Sequence, residues 1–300
     1  MRTWYRPLVV FSALMAVTAV ASVVGLLVDD RELLGAPIWL KPLKFSLSFV
    51  AFGLSWAWLL SLPERRPRFL GGTAWVIIAA SLLEMVIIIG QVVRGKQSHF
   101  NTGTALDSML FSIMGATVAI LLLATMVLSV YIAARRLAPA AELLAIRFGM
   151  GISLLGMAVG ILMTTASSGV EGITGAHSVG VLDGGPGMPL TGWSTTGGDL
   201  RAPHFIGMHA LQLLPLLALA IRGRGERVSK RVVWAASLGY LGLVVLTTWQ
   251  ALRGQPLFSP DWVTGTALGV LVVGVALGVL SAPRQPEVSA PPVEAERIPS

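Results

Sequence analysis

The feature that most constrains this chain is the recurrence of apolar stretches long enough to cross a lipid bilayer. A spanning helix needs about 20 mostly apolar residues. Eight stretches meet that length, at approximately residues 7–28, 38–62, 70–92, 104–132, 143–166, 203–222, 231–251 and 262–281. Backbone groups in lipid must be paired within their own segment, so each stretch is predicted to be an α-helix.

The low charge content supports the same class. Only 12% of the residues are charged and the mean hydropathy is +0.76, whereas soluble domains have about 25% charged residues. The sequence therefore predicts an all-α integral membrane protein with eight transmembrane helices. The chain has no cysteine, which excludes disulfides, zinc–thiolate sites and iron–sulfur clusters.

The distribution of Lys and Arg predicts the orientation. The net charge is +7, and roughly two thirds of the Lys and Arg residues fall on the side of the N-terminus, as the positive-inside rule requires of cytoplasmic loops. Both termini are therefore predicted to be cytoplasmic. The charge is explained without nucleic-acid binding. The proline-rich tail, residues 282–300, is predicted to be disordered and cytoplasmic.

Three pairs of motifs indicate an internal repeat. Their positions differ by a nearly constant offset that pairs each helix with the helix four places later. The pairs are Gln91-Val-Val-Arg-Gly95 with Gln250-Ala-Leu-Arg-Gly254, Thr102-Gly-Thr-Ala-Leu106 with Thr264-Gly-Thr-Ala-Leu268, and Leu34-Gly-Ala-Pro-Ile-Trp39 with Leu200-Arg-Ala-Pro-His-Phe205. They predict two four-helix halves, residues 1–137 and 138–281, in a parallel pseudo-twofold arrangement like that of parallel-repeat transporters. The long outer loop 167–202 belongs to the second half.

Polar residues interrupt the second and third predicted helices. Lys41 and Lys44 are three residues apart and share one helix face. Glu84, Gln91 and Arg94 lie along one stripe of the third helix. A lone carboxylate in lipid must be protonated or paired, and Lys44, at a similar depth, is its predicted partner. Snorkelling lysines and a purely structural ion pair are the alternatives.

The sixth predicted helix carries a second polar group. His209 and Gln212 share a face, whereas His204 and His209 are separated by about 140° around a helix and cannot easily bind one metal together. Ionisable groups inside a bilayer are costly and indicate a site. The predicted site is a polar pocket open to the outer face, beneath the 167–202 loop. Its predicted ligand-binding residues are Lys41, Lys44, Glu84, Gln91, Arg94, Arg201, His209 and Gln212.

Three functions are compatible with this pocket. The first is binding or transport of a small polar or anionic solute, in which Glu84 or His209 would exchange protons. The second is a membrane redox protein or enzyme that holds b-type haem or a metal, because all four histidines fall on the predicted outer side. The metal ligands would then be His99, His204 and His209. The third is a structural or assembly protein whose polar groups join helices. The sequence leaves open whether the chain is an enzyme.

Three motifs carry a resemblance to a known group. They are Lys41-Pro-Leu-Lys-Phe45, Arg94-Gly-Lys-Gln-Ser-His-Phe-Asn101 and Gly198-Asp-Leu-Arg-Ala-Pro-His-Phe-Ile-Gly-Met-His-Ala-Leu-Gln212. The chain resembles an uncharacterised family of bacterial polytopic membrane proteins with no established function. The resemblance implies a multi-pass protein of the bacterial cytoplasmic (inner) membrane, and no activity. The architecture is also similar to that of haem A synthase, whose Glu-x-x-His-Arg signature is absent here.

Overall fold

The computed structural model describes residues 3–281, so the tail predicted to be disordered lies outside the described residues. The structure is all-α and 70% helical. Its long helices within the described range are α1 (Arg6–Val28), α2 (Leu40–Leu59), α3 (Arg68–Val93), α4 (Ala105–Ala133), α5 (Ala140–Thr165), α6 (Arg201–Ile221), α7 (Glu226–Leu252) and α8 (Trp262–Leu280). A short 3₁₀ turn, Arg222–Arg224, follows α6.

Seven of the helices in residues 3–281 are long and apolar enough to cross a membrane. This architecture fits a multi-pass membrane protein. The eighth long helix, α2, has 20 residues, which is the length of a span. Lys41 and Lys44 in its first two turns reduce its apolar character.

The segment between α5 and α6, residues 166–200, folds over one end of the helix bundle and is called the lid below. Two residues on each side pair as an antiparallel ladder, β3 (Ser178–Val179) with β4 (Gly198–Asp199). A similar short ladder, β1 (Glu32–Leu33) with β2 (Ala36–Pro37), connects α1 to α2 at the same end. We call this end of the bundle the lid end.

The lid contacts the α1–α2 connection, the α3–α4 connection and the end of α7. Ile173 forms an isolated β-bridge with Asn101 in the α3–α4 connection. The carbonyl of Gly184 lies against Gly35 in the α1–α2 connection. Gly198 is so close to the carbonyl of Ala251 in α7 that any Cβ there would overlap it. The lid is therefore packed by contacts that are distant in sequence.

Helices α5 and α6 pack with their backbones in contact. A Cβ placed on Gly207 would lie 2.6 Å from the Cα of Gly156, so glycine at both positions permits the approach. The largest buried apolar cluster contains side chains from all four of the helices α1, α2, α3 and α4. It also includes Met150 of α5 and Leu211 of α6. A second cluster joins α5, α6 and α7. Helix α8 packs on α7, where the Val275 side chain lies over Gly239, and most of its remaining surface is exposed.

Candidate functional site

The two lysines of α2 lie beneath the lid. Lys41 Nζ is 3.2 Å from His99 Nδ1, and Lys44 Nζ donates a 2.8 Å hydrogen bond to the carbonyl of Thr191 in the lid. Both lysines are half-buried. Within residues 3–281, neither ammonium group has a carboxylate oxygen within 4.0 Å. The site therefore holds two positive charges without a direct counter-ion.

Arg201, at the start of α6, is neutralised by its neighbour. Its guanidinium donates to Asp199 Oδ2 at 2.6 Å and to the carbonyl of Gly192 at 2.6 Å. Asp199 is buried and also accepts from the Ser194 amide at 2.8 Å. A Cβ placed on Gly192 would lie 3.9 Å from the Arg201 guanidinium and 4.0 Å from Lys44 Nζ. Arg201 and Lys44 thus hold the same turn of the lid.

His209 and Gln212 connect α6 to α2. The imidazole Nδ1 lies 3.2 Å from Gln212 Oε1, and Gln212 Nε2 donates to Ser55 Oγ at 3.0 Å. The His209 ring also packs edge-on against Phe205, with ring centroids 4.3 Å apart. His209 Nε2 is buried and has no hydrogen-bond partner. This contact joins the two predicted halves in the interior of the bundle.

His204 faces a different helix from His209, as the sequence predicted. Its Nδ1 lies 2.7 Å from the Gly156 carbonyl in α5. Because a carbonyl only accepts, the proton is on Nδ1 and Nε2 carries a lone pair. His177 in the lid has the same arrangement, since its Nδ1 lies 2.7 Å from Asp183 Oδ2.

The two loop histidines of the site are neutral. Burial holds the pKa of His99 well below its usual value, and the nearby Lys41 charge lowers it further. Burial also lowers the pKa of His177, against the opposing effect of Asp183. Although burial acts against it, the hydrogen bond with His177 helps to hold the pKa of Asp183 below its usual range. Neutral His99 accepts from Lys41 through Nδ1, which leaves its Nε2–H as a donor.

Gln91 and Arg94 do not lie with the lysines. Gln91 Nε2 donates to Asp107 Oδ1 at 2.9 Å, and Arg94 donates to the same oxygen at 2.7 Å. Thr104 caps α4 by accepting from the Asp107 amide. Gln91 and Arg94 therefore bind Asp107 within the α3–α4 connection, because the stripe of α3 that carries them packs against the first turn of α4.

The predicted pair between Glu84 and Lys44 is wrong. Glu84 Oε1 accepts from Thr117 Oγ1 of α4 at 2.5 Å, whereas Lys44 extends to the lid carbonyl of Thr191. Similar depth placed the two residues at one level but did not fix the rotation of α3. The Glu84 face of α3 is turned towards α4, and the carboxyl is only 2% exposed.

The predicted metal ligands are dispersed. His99 contacts Lys41, His204 contacts α5 and His209 contacts Gln212. Within the described range, no group of three or more His, Asp or Glu side chains could hold a metal ion. Sequence reasoning did not select the His177–Asp183 contact, because a spacing of six residues in a glycine-rich loop has no recognisable pattern.

The α3–α4 and α7–α8 connections close with matching contacts. Lys96 N donates to the Gln91 carbonyl, and Gln255 N donates to the Gln250 carbonyl. An arginine then pairs with a carboxylate in each case, Arg94 with Asp107 at 2.7 Å and Arg253 with Asp261 at 2.6 Å. The Gln-x-x-Arg-Gly motifs therefore occupy equivalent places.

The other two motif pairs do not occupy equivalent places. Thr102–Leu106 straddles the start of α4, whereas Thr264–Leu268 lies wholly inside α8. Ala36–Pro37 forms β2, whereas Ala202 and Pro203 belong to α6. A pattern that the sequence did not reveal is shared instead. Asp29 accepts three hydrogen bonds from Arg31, and Asp199 accepts from the same three donors of Arg201.

Comparisons of the chain with protein-family models, with curated proteins and with solved structures find no match.

Proposed function

We propose that the chain is a polytopic protein of the bacterial inner membrane that binds or transports a small anionic solute in a pocket beneath the lid, open to the outer face. The observation that carries this proposal is the pair of half-buried lysines, Lys41 and Lys44, without a carboxylate within 4.0 Å. Charged groups at membrane depth are costly and indicate a functional site. An anion would supply the missing counter-charge.

The lysines have donors to spare. An ammonium group has three N–H donors. Lys41 uses one towards His99 and Lys44 uses one towards Thr191. The Nε2–H of neutral His99 adds a further donor beside Lys41. Arg201, by contrast, is already paired with Asp199, so we assign it the role of positioning the lid rather than binding the solute.

We also propose eight spans in two parallel halves, with both termini in the cytoplasm and the lid outside. The distribution of Lys and Arg supports this orientation. The matching α3–α4 and α7–α8 connections support the repeat, as do the matching Asp29–Arg31 and Asp199–Arg201 contacts. Under this arrangement α2 spans the membrane and corresponds to α6.

The orientation can be tested by cysteine labelling, because the chain has no native cysteine. Glu171 in the lid and Glu64 between α2 and α3 are both exposed. An impermeant maleimide should label Glu171→Cys in intact spheroplasts and Glu64→Cys only after lysis. The reverse result would overturn the orientation, and labelling of both sites in sealed cells would overturn the span count.

Binding can be tested on the full chain in lipid nanodiscs. We expect sulfate and succinate to raise the melting temperature, and chloride at equal ionic strength to raise it less, because two ammonium groups favour a dianion. Lys41→Met and Lys44→Met should each weaken sulfate binding at least about tenfold, or about 1.4 kcal/mol. The matched control is Lys96→Met, which removes an exposed lysine from the α3–α4 connection.

Lys44→Arg distinguishes a binding defect from a folding defect. It retains the charge and a donor towards the Thr191 carbonyl, so sulfate binding should persist. The proposal would be overturned if no anion stabilised the wild-type protein, or if the two Lys→Met variants bound sulfate as tightly as Lys96→Met.

A second candidate is the binding of b-type haem. It is favoured by His177 and His204, whose Nδ1 hydrogen bonds leave Nε2 as the lone-pair nitrogen, the form that ligates iron. An absorption spectrum of the purified protein tests it directly. A Soret band that is lost in His204→Ala would support this function, and a spectrum without a Soret band would eliminate it.

A further inference from the structure

We propose that Glu84 is a membrane-embedded proton site linked to the anion pocket, so that the protein binds an anion more tightly when Glu84 carries its proton. The inference rests on the proposed anion-binding function and extends it by naming the coupling ion and the residue that carries it.

Glu84 is placed where an ionised carboxylate is poorly supported. Its side chain is 2% exposed, and Oε1 accepts a hydrogen bond from Thr117. Oε2 is buried and has no partner. Ser81, one turn earlier on the same face of α3, is fully buried and its Oγ also has no partner. An ionised carboxylate needs a cation or several donors in such a place, so this arrangement corresponds to the neutral acid.

The cation that can influence Glu84 comes from a neighbouring helix. Lys41 on α2 is the charged group that acts electrostatically on Glu84 in the described chain. From α4, Glu84 meets Thr117, and the carboxylate of Asp107 is occupied by Arg94 at the lid end. Lys41 is engaged with His99 in this conformation. Lys41 therefore has two possible counter-charges, an ionised Glu84 and an anion in the pocket.

This competition fixes the sign of the coupling. An ionised Glu84 attracts Lys41 and repels an incoming anion. An anion bound at Lys41 and Lys44 removes the counter-charge that an ionised Glu84 requires, and so favours its protonation. Anion affinity is then expected to rise as the pH falls, by up to about tenfold per pH unit where Glu84 titrates. A transporter built this way would carry an anion and a proton in the same direction.

The first experiment detects the proton site without any anion. Dicyclohexylcarbodiimide reacts with protonated carboxyl groups in apolar surroundings, and mass spectrometry locates the adduct. We expect Glu84 to be modified in the full chain at pH 6.5 and much less at pH 8.5. Asp107, equally buried but paired with Arg94, is the internal control and should stay unmodified.

Two results would overturn the proton site. One is an unmodified Glu84 at pH 6.5. The other is protection of Glu84 by sodium relative to choline at equal ionic strength, which would indicate a sodium site instead. Neither result depends on whether an anion binds, so failure of this inference is distinguishable from failure of the proposed function.

The second experiment measures the linkage. Sulfate keeps a constant charge between pH 6.5 and 8.5, so its dissociation constant reports the protein's protons. We expect wild-type affinity to fall at least about fivefold across this range, within the tenfold-per-unit limit. Glu84→Gln, which mimics the neutral acid, should bind sulfate tightly and nearly independently of pH. An equal slope in both proteins would assign the titration to Lys41 or His99 and overturn the inference.

Discussion

The α3–α4 and α7–α8 connections are built alike, but the two cap residues are exchanged. In the first, Thr104 is the N-cap of α4 and Asp107 follows three residues later. In the second, Asp261 is the N-cap of α8 and Thr264 follows three residues later. The arginine, Arg94 or Arg253, meets the carboxylate in both. The two connections share a set of contacts, but the residues that supply it stand in a different order.

The starts of α2 and α6 differ in chemistry instead. Helix α2 presents Lys41 and Lys44, whereas α6 presents His204 and His209. The lysines are without carboxylate partners, but the histidines are bonded to Gly156 and Gln212. The comparison teaches that the two connections share a set of contacts, whereas the starts of α2 and α6 differ in chemistry, and the proposed site lies at the start of α2.

The largest effect is expected when the carboxylate is removed from each connection, Asp107 from α3–α4 and Asp261 from α7–α8. Asp107→Ala should lower the free energy of unfolding by about 2–4 kcal/mol, because it removes a buried acceptor and leaves the buried Gln91 amide, together with Arg94, without a partner. Asp261→Ala should cost less, because both members of its pair are about one-third exposed. Denaturation in mixed micelles measures both.

A double variant controls this prediction. Thr104→Asp with Asp107→Thr imports the second half's order of caps into the first half and should recover most of the lost stability. If Asp261→Ala proved the more damaging, or if the exchanged pair were no better than Asp107→Ala, the two connections would not be equivalent.

The second prediction sets α2 against α6. Lys44→Met should weaken sulfate binding at least about tenfold, since it removes one of two unpaired charges. His209→Leu should change sulfate affinity less than about threefold and act on stability through the lost Gln212 contact. Calorimetry on nanodisc samples separates the two effects. If His209→Leu lost more sulfate affinity than Lys44→Met, the binding site would lie at α6 rather than at α2.

The third prediction uses pH. Burial lowers the pKa of His99, so the folded state binds its proton more weakly than the unfolded state does. Neutral His99 therefore makes its full contribution to the free energy of unfolding above about pH 6.5. That contribution is lost as the pH falls below this value, by about 1 kcal/mol per pH unit. The α7–α8 connection contains no histidine. The protection factors of the backbone amides should therefore fall at pH 5.5 in residues 95–104 but not in 253–261, and His99→Gln should abolish the difference.

The smallest effect is expected to be equal in the α3–α4 and α7–α8 connections. Gly95 and Gly254 follow the arginines with φ of 66° and 71°, a backbone conformation that favours glycine. A Cβ would meet its nearest atom at 3.7 Å and 3.5 Å respectively, so neither alanine variant adds a clash. Each should cost about 1 kcal/mol. Costs that differ by more than about 1 kcal/mol would indicate unequal turns.

Hydropathy predicted the helices well because a span is defined by length and apolar content. The predicted range 70–92 became Arg68–Val93. Length and apolar content are both local properties of the chain. The prediction of eight spans is supported only in part, since seven of the described helices meet the criteria for crossing a membrane.

The site was harder to predict because it depends on helix rotation and on distant contacts. Helix α3 is apolar on most of its faces, so nothing in its pattern directed Glu84 to Thr117 rather than to Lys44. The lid was recognised as a long outer loop, but its packing on Ala251 and Gly35 joins residues far apart in the chain. Two of the three pairs of similar sequence motifs likewise predicted equivalent positions in the fold, but the helix boundaries place their members differently.

The contact between Gly156 and Gly207 has a mechanical consequence. Backbones that touch cannot slide past one another without a clash, so α5 and α6 form one stiff unit. The link from α6 to α2 is of another kind, a hydrogen bond from Gln212 to Ser55 between flexible side chains. When the helices move relative to one another, α2 should therefore separate from α6 before the packing of α5 against α6 changes. Lys44 lies on α2, and the Thr191 carbonyl that it contacts lies in the segment leading into α6, so a displacement of α2 from α6 would also change this contact.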